Sequence, residues 1–181
     1  MRRLLLYLCC IVFLTAADTA EERIAWNDSY KLTWADFKGT PRSGNVYVAS
    51  TSSGLSFSYG FKTINGQPTS DFTYEVTAYF YPQNSWYDPT RVSPRVLQHE
   101  QTHFDITELH ARLLRMRIAE FNFTTNVKEE LDALYDQVER ERRAMQSQYD
   151  LESDHSVIRD REAAWVARVQ EMLKQSEAWS Q

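Results

Sequence analysis

Cysteine is almost missing from this chain of 181 residues, and its two copies, Cys9 and Cys10, both fall near the start. They lie in a segment with the marks of an export signal. Arg2-Arg3 form a basic start, Leu4 to Leu14 an apolar run, and Thr15, Ala16 and Ala17 a small-residue stretch suited to a signal peptidase. Residues 1–20 are therefore expected to be cleaved as a signal peptide, leaving a mature chain without a thiol. That excludes disulfides as a source of stability and thiolates as metal ligands. Only His, Asp and Glu remain to hold a metal. No later segment approaches about 18 consecutive apolar residues, so no stable membrane insertion is expected after cleavage. The expected location is periplasmic or extracellular.

An excess of positive charge is also lacking. The chain carries 20 basic against 25 acidic side chains, a formal net charge of −5 at pH 7, and losing Arg2 and Arg3 makes it more negative. This argues against nucleic acid or an anionic membrane as a partner. Glycine is absent from residues 94–178, whereas residues 24–90 hold all five copies. The first half is rich in Ser, Thr, Tyr and Phe, the second in Arg, Glu, Leu and Ala. The expected fold class is α+β: one domain over residues 21–181, mostly β over 21–90 and mostly α over 91–181. A small twisted antiparallel sheet should be followed by three helices.

Val46 to Phe61 and Phe72 to Tyr81 are strand-like. In the latter, Phe72, Tyr74, Val76, Ala78 and Phe80 alternate with polar or half-exposed positions, the period of a half-buried strand. Asn65-Gly66 between them is a strong turn signal, which predicts a long hairpin. Pro82 to Pro89 reads as a loop. Ser93-Pro94 then supplies a capping hydroxyl and a proline at the first helical position. The spacing predicts a helix from Pro94 to about Phe121. Two more follow, one carrying Val127, Leu131, Leu134, Tyr135, Val138, Met145 and Tyr149, the other Ile158, Trp165, Val169, Met172 and Leu173.

The first predicted helix carries His99-Glu100-Gln101-Thr102-His103. Histidines four apart on a helix share one face, and the pattern HExxH is a device for holding zinc with a Glu beside it as general base. Catalytic zinc normally takes three protein ligands and leaves a position open. The nearby candidates fail on helical geometry. Glu108 points about 180° away from His99, and Asp105 about 240° around the helix. His110 shares the face but lies about 10 Å further along the axis. The third ligand must come from a distant segment. His155 is the only other histidine, in the stretch Tyr149-Asp150-Leu151-Glu152-Ser153-Asp154-His155-Ser156, read as a loop between the second and third helices. An antiparallel second helix would return this stretch to His99. The expected ligands are His99, His103 and His155, with Asp150 and Glu152 as alternatives to His155.

These residues resemble a family of secreted proteins, DUF922, described as predicted zinc-dependent proteases. The resemblance starts at Leu32-Thr33-Trp34-Ala35-Asp36-Phe37-Lys38-Gly39 and includes Ser85-Trp86. Its core is His99-Glu100-Gln101-Thr102-His103-Phe104-Asp105-Ile106, followed by Glu108-Leu109 and Ala111-Arg112. It ends in Tyr149-Asp150, Glu152-Ser153, His155 and Trp165. Ser153 stands where the family usually has Thr, and Ser156 where it usually has Gly. The resemblance implies an exported zincin-like metallopeptidase.

The chemistry then expected is zinc-dependent hydrolysis of a peptide or protein substrate. One zinc ion would lower the pKa of a water toward 7, and Glu100 would take up its proton and pass it to the leaving amine. Tyr149, or the imidazole of His110, would stabilise the developing oxyanion. Asp150, Asp105 and Glu152 are candidates for orienting ligand imidazoles. Trp34 and Trp86 are read as core or cleft-wall packing. Phe72–Tyr81 is the first choice for an edge strand that lines the cleft and pairs with an extended peptide. The rival readings are a zinc-bound envelope or interaction module without activity, and a zinc amidase acting on cell-wall peptides.

Overall fold

A computed structural model of the protein describes residues 21–41, 44, 46–64 and 67–181. The expected signal segment and the Asn65-Gly66 turn lie outside the described residues. The architecture is α+β. Among the described residues, strands β1 (Ile24–Ala25), β2 (Ala49–Ser50), β3 (Ser53–Ile64), β4 (Gln67–Phe80) and β5 (Trp86–Tyr87) precede helices α1 (Pro94–Glu120), α2 (Val127–Ser153) and α3 (Arg159–Gln175).

β3 and β4 form the expected antiparallel hairpin, with Leu55 opposite Ala78, Phe57 opposite Val76 and Phe61 opposite Phe72. β1 adds to the far side of β4, giving the order β1–β4–β3. A second, two-stranded sheet pairs β2 with β5. The strand-like stretch from Val46 is thus split: its first part leaves the hairpin to pair with residues from the expected Pro82–Pro89 loop. In β4, Val76, Ala78 and Phe80 are buried, but so is Thr77 among them, and Tyr74 is exposed.

Ser93 and Pro94 start α1 as the sequence implied. The Ser93 hydroxyl accepts from the Val96 N–H at 3.3 Å, satisfying one of the free donors of the first turn. The burial of α1 is less expected, because it is not confined to one apolar stripe. The helix lies between the sheet and the other two helices, and Gln101, Thr102, Asp105, Glu108, Arg112 and Arg115 are all buried. Most of these polar atoms are matched with one another, with backbone or with side chains of neighbouring elements; Arg112 Nη2 is left without a hydrogen-bond partner among the described residues. Glu108 accepts from Arg112 Nε (2.9 Å) and Arg115 Nη1 (3.1 Å). Arg115 also donates to Val76 O on β4, and Arg112 to Leu173 O on α3.

Two apolar clusters flank α1. The sheet side joins Leu55, Val76 and Phe80 to Phe104, Leu114 and Leu131. The helical side joins Ile106 and Leu109 to Tyr149, Trp165 and Val169. Trp34 belongs to the first, stacked on Tyr87 at 4.8 Å. The short 3-10 turn Trp34–Asp36 is closed by Thr33, whose N–H and hydroxyl both bond Asp36 Oδ2. Next to it, the Leu32 N–H donates to Gln101 Oε1 at 2.8 Å, tying the chain's first segment to the motif helix. Gly39 donates to Ser85 O at 2.8 Å, and a Cβ there would lie 2.8 Å from the same oxygen. Only glycine allows that approach.

Candidate metal centre

Helices α1 and α2 run antiparallel, so the end of α2 returns to the start of α1. His99 meets Asp150, and one turn further on His103 meets Gln146. The second helix is about one turn longer than the sequence suggested. α2 continues through Ser153, so Tyr149, Asp150 and Glu152 are helical, not loop, residues. Only Asp154, His155 and Ser156 form the turn. All three take left-handed backbone angles, φ of 47°, 49° and 71°. Ser156 thus stands where a glycine would carry no strain.

Three lone-pair atoms converge at this junction. His99 Nε2 and His103 Nε2 are 3.1 Å apart, and each lies 3.0–3.1 Å from Asp150 Oδ1. Among the described residues, this is the one group of three whose ligand atoms lie close enough to share an ion. Donors at zinc bond lengths in a tetrahedron stand about 3.3 Å apart, so the spacing suits zinc. Both imidazoles also turn their other nitrogen to an acceptor. His99 Nδ1 is 3.1 Å from Glu162 Oε2, and His103 Nδ1 donates to the Gln146 side-chain oxygen. Each Nε2 faces the common point.

His155 is near but outside that group. Its Nδ1 is 3.4 Å from Asp150 Oδ1, its ring packs on Tyr47 at 4.6 Å, and its side chain is 44% exposed. Glu152 faces away, with one oxygen accepting from Trp165 Nε1 and the other from Gln148. Asp105 orients no imidazole; it accepts from Trp26, Gln101 and Gln170. Of the three carboxylates expected to orient histidines, only Asp150 touches any. His110 is buried and bonded to Ile106 O at 2.8 Å. Tyr149 is fully buried, stacked on His99 at 4.5 Å, and its hydroxyl donates to Glu162 Oε1 at 2.5 Å. Sequence reasoning missed Glu162 and Gln146. Each sits in a charged or polar surface-like pattern, and only the packing of α2 and α3 on α1 turns it inward.

The charges are balanced within the cluster. Burial presses the His99 imidazole toward neutrality, but hydrogen bonds to Asp150 and Glu162 outweigh it and raise its pKa to about 9. Burial also works against ionised Asp150 and Glu162. Bonds from His103 and His99 nevertheless hold Asp150 well below the usual carboxylate range, and those from His99 and Tyr149 hold Glu162 down. Burial and the Glu162 carboxylate push the Tyr149 hydroxyl far above its ordinary value. Both carboxylates are thereby favoured in the ionised form.

Glu100 completes the constellation. It is buried, and its Oε2 has no hydrogen-bond partner among the described residues, an uncommon state for a carboxylate oxygen. It lines a cleft of about 1260 Å³ together with His99, His103, Asp150, Tyr47 and Trp86. The opposite wall is formed by residues 46–51, with the Thr51 hydroxyl bonded to Glu100 O. β4 does not line this cleft. β1 pairs with one end of it, and Arg115 and Gln181 bond Val76 O on the same edge. The edge-strand expectation for Phe72–Tyr81 is therefore corrected, and the segment around β2 takes that position.

Residues 29–156 match the family described as "Bacterial protein of unknown function (DUF922)". The chain belongs to the DUF922 family. No curated protein and no solved structure matches it. The DUF922 match covers His99, Glu100, His103, Asp150 and His155 but ends before Glu162. No helix among the described residues is long and apolar enough to cross a membrane.

Proposed function

We propose that this DUF922 protein is an exported, zincin-like, zinc-dependent hydrolase that cleaves amide bonds in peptides or proteins. The observation that carries the reading is the meeting of His99 Nε2, His103 Nε2 and Asp150 Oδ1 within 3.1 Å of one another. Two imidazoles and one carboxylate, with an open side, are a catalytic donor set rather than a structural one. Zinc bound there would polarise a substrate carbonyl and lower the pKa of water toward 7.

The chain's own groups do the rest. Glu100 Oε2, buried and unpartnered, accepts a proton from the attacking water as its oxygen bonds to the carbonyl carbon. The same carboxyl then gives that proton to the nitrogen as the C–N bond breaks. We assign the exposed His155 imidazole at the cleft mouth to hydrogen-bond the substrate oxygen, because the Tyr149 hydroxyl is committed to Glu162. The cleft exceeds the usual volume of a small-ligand pocket, about 300–1,000 Å³, which favours a segment of a longer chain as substrate.

The test is zinc content and hydrolysis in wild type and Glu100→Gln. The variant is expected to keep one zinc and to lose about 10²–10⁴-fold in rate. A wild type that holds zinc yet cleaves no protein, peptide library or peptidoglycan fragment overturns the reading. Export is checked by fractionation: an uncleaved chain retained in the cytoplasm overturns it.

A further inference from the structure

Glu162 is the least expected member of the cluster. It lies in the first turn of α3, past the end of the family match, and is 4% exposed. A buried carboxylate costs free energy unless its oxygens are matched. Here each oxygen has one partner: Oε2 faces His99 Nδ1 at 3.1 Å, and Oε1 accepts from the Tyr149 hydroxyl at 2.5 Å. Tyr149 in turn stacks on the His99 ring at 4.5 Å. The imidazole is thus held by its face and by one nitrogen.

We propose that Glu162, anchored by Tyr149, is a positioning residue that fixes the metal-binding tautomer of His99. The inference rests on the zinc reading above. A neutral imidazole carries one N–H, and whichever nitrogen faces an acceptor keeps it. A carboxylate has only acceptors, so Glu162 draws the proton to Nδ1 while Asp150 Oδ1, 3.1 Å from Nε2, draws it the other way; a cation shared by Nε2 and Asp150 leaves Nδ1 as its one place, with Glu162 there to accept it. A glutamine of the same shape behaves differently. If its oxygen keeps the Tyr149 bond, its amide presents an N–H to His99 Nδ1 and drives the proton onto Nε2. That nitrogen then points a hydrogen, not a lone pair, at His103 and Asp150. Partners of this kind typically change metal affinity by about 10–100-fold.

The experiment uses the full chain, with Glu162→Gln and Tyr149→Phe. Zinc affinity is measured by competition with a chelator. The His99 tautomer is read by 15N NMR of metal-free Asp150→Ala protein, in which Glu162 is the carboxylate left bonded to the ring, at a pH where the imidazole is neutral. With Glu162 intact, that protein is expected to show the Nδ1–H form. Glu162→Gln should shift it to Nε2–H and, with Asp150 in place, bind zinc about 10–100-fold more weakly, with helical content retained. Tyr149→Phe, which leaves Glu162 with one anchor, should weaken zinc by a smaller factor; it decides the matter if the buried amide prevents folding. Unchanged tautomer and zinc affinity in the variants overturn the proposal. A wild type that binds no zinc overturns the metal reading, and the metal-free tautomer then decides the part played by Glu162.

Discussion

His99 Nε2 and Asp150 Oδ1 lie 3.1 Å apart although 51 positions separate them in the chain. His155, the sequence's choice of third ligand, instead approaches the same Asp150 oxygen at 3.4 Å from the solvent side. Zinc titration separates the two assignments. Asp150→Ala should weaken zinc by orders of magnitude, whereas His155→Ala should stay within about tenfold of wild type while losing turnover. The reverse order of effects returns the ligand role to His155.

Glu108 holds two guanidinium groups in the interior, those of Arg112 and Arg115. Removing one partner of a buried ion pair leaves charge uncompensated, at a cost of about 3–5 kcal/mol. Glu108→Ala should therefore shift denaturant unfolding by that amount. A loss below about 1 kcal/mol would mean that backbone carbonyls alone satisfy both arginines.

Acidification should act through His110. Its burial holds the imidazole pKa below the ordinary value of about 6.5. The folded state therefore binds fewer protons than the unfolded chain between its own pKa and about 6.5, and stability rises with pH across that window. His110→Asn, whose amide can still donate to Ile106 O, removes this dependence. Melting temperatures of the two proteins should diverge as pH falls below about 6.5, with wild type losing more. Parallel pH profiles count against this assignment.

Ser156 offers a gain. Its φ of 71° is left-handed, a conformation that costs a side-chain-bearing residue about 1–2 kcal/mol. Glycine removes that strain and gives back about 0.5–1 kcal/mol in chain entropy. Ser156→Gly should raise stability by up to about 1 kcal/mol, readable as a higher melting temperature. A destabilised variant would show that the buried serine contributes contacts worth more than its strain.

Much of this was legible in the sequence because it is local. Ser93-Pro94 marks the start of α1, the His99–His103 spacing defines a face, and the alternation from Phe72 to Phe80 marks a strand. Of the site's remaining members, Asp150 was legible only as an alternative to His155 and Glu162 not at all, for a physical reason. Asp150 and Glu162 sit among other acids in charged helices, and only long-range packing distinguishes them from solvated neighbours such as Asp154 and Asp160. The breadth of burial around α1 was hidden likewise. A helix rich in Arg, Glu and Gln reads as one-sided until Glu108 is seen holding Arg112 and Arg115. Pairing of β2 with β5 depends on two residues in each strand, too few for any periodicity.

The antiparallel return of α2 along α1 also sets when the centre can exist. In an extended chain only His99 and His103 are neighbours; Asp150 joins them after the intervening hairpin of helices has closed, and Glu162 after α3 has docked. On the proposed reading, affinity for an ion would thus be created by folding rather than carried by the unfolded polypeptide. A chain that crosses a membrane unfolded would make that crossing without its metal, and its zinc supply would be that of the compartment where it folds.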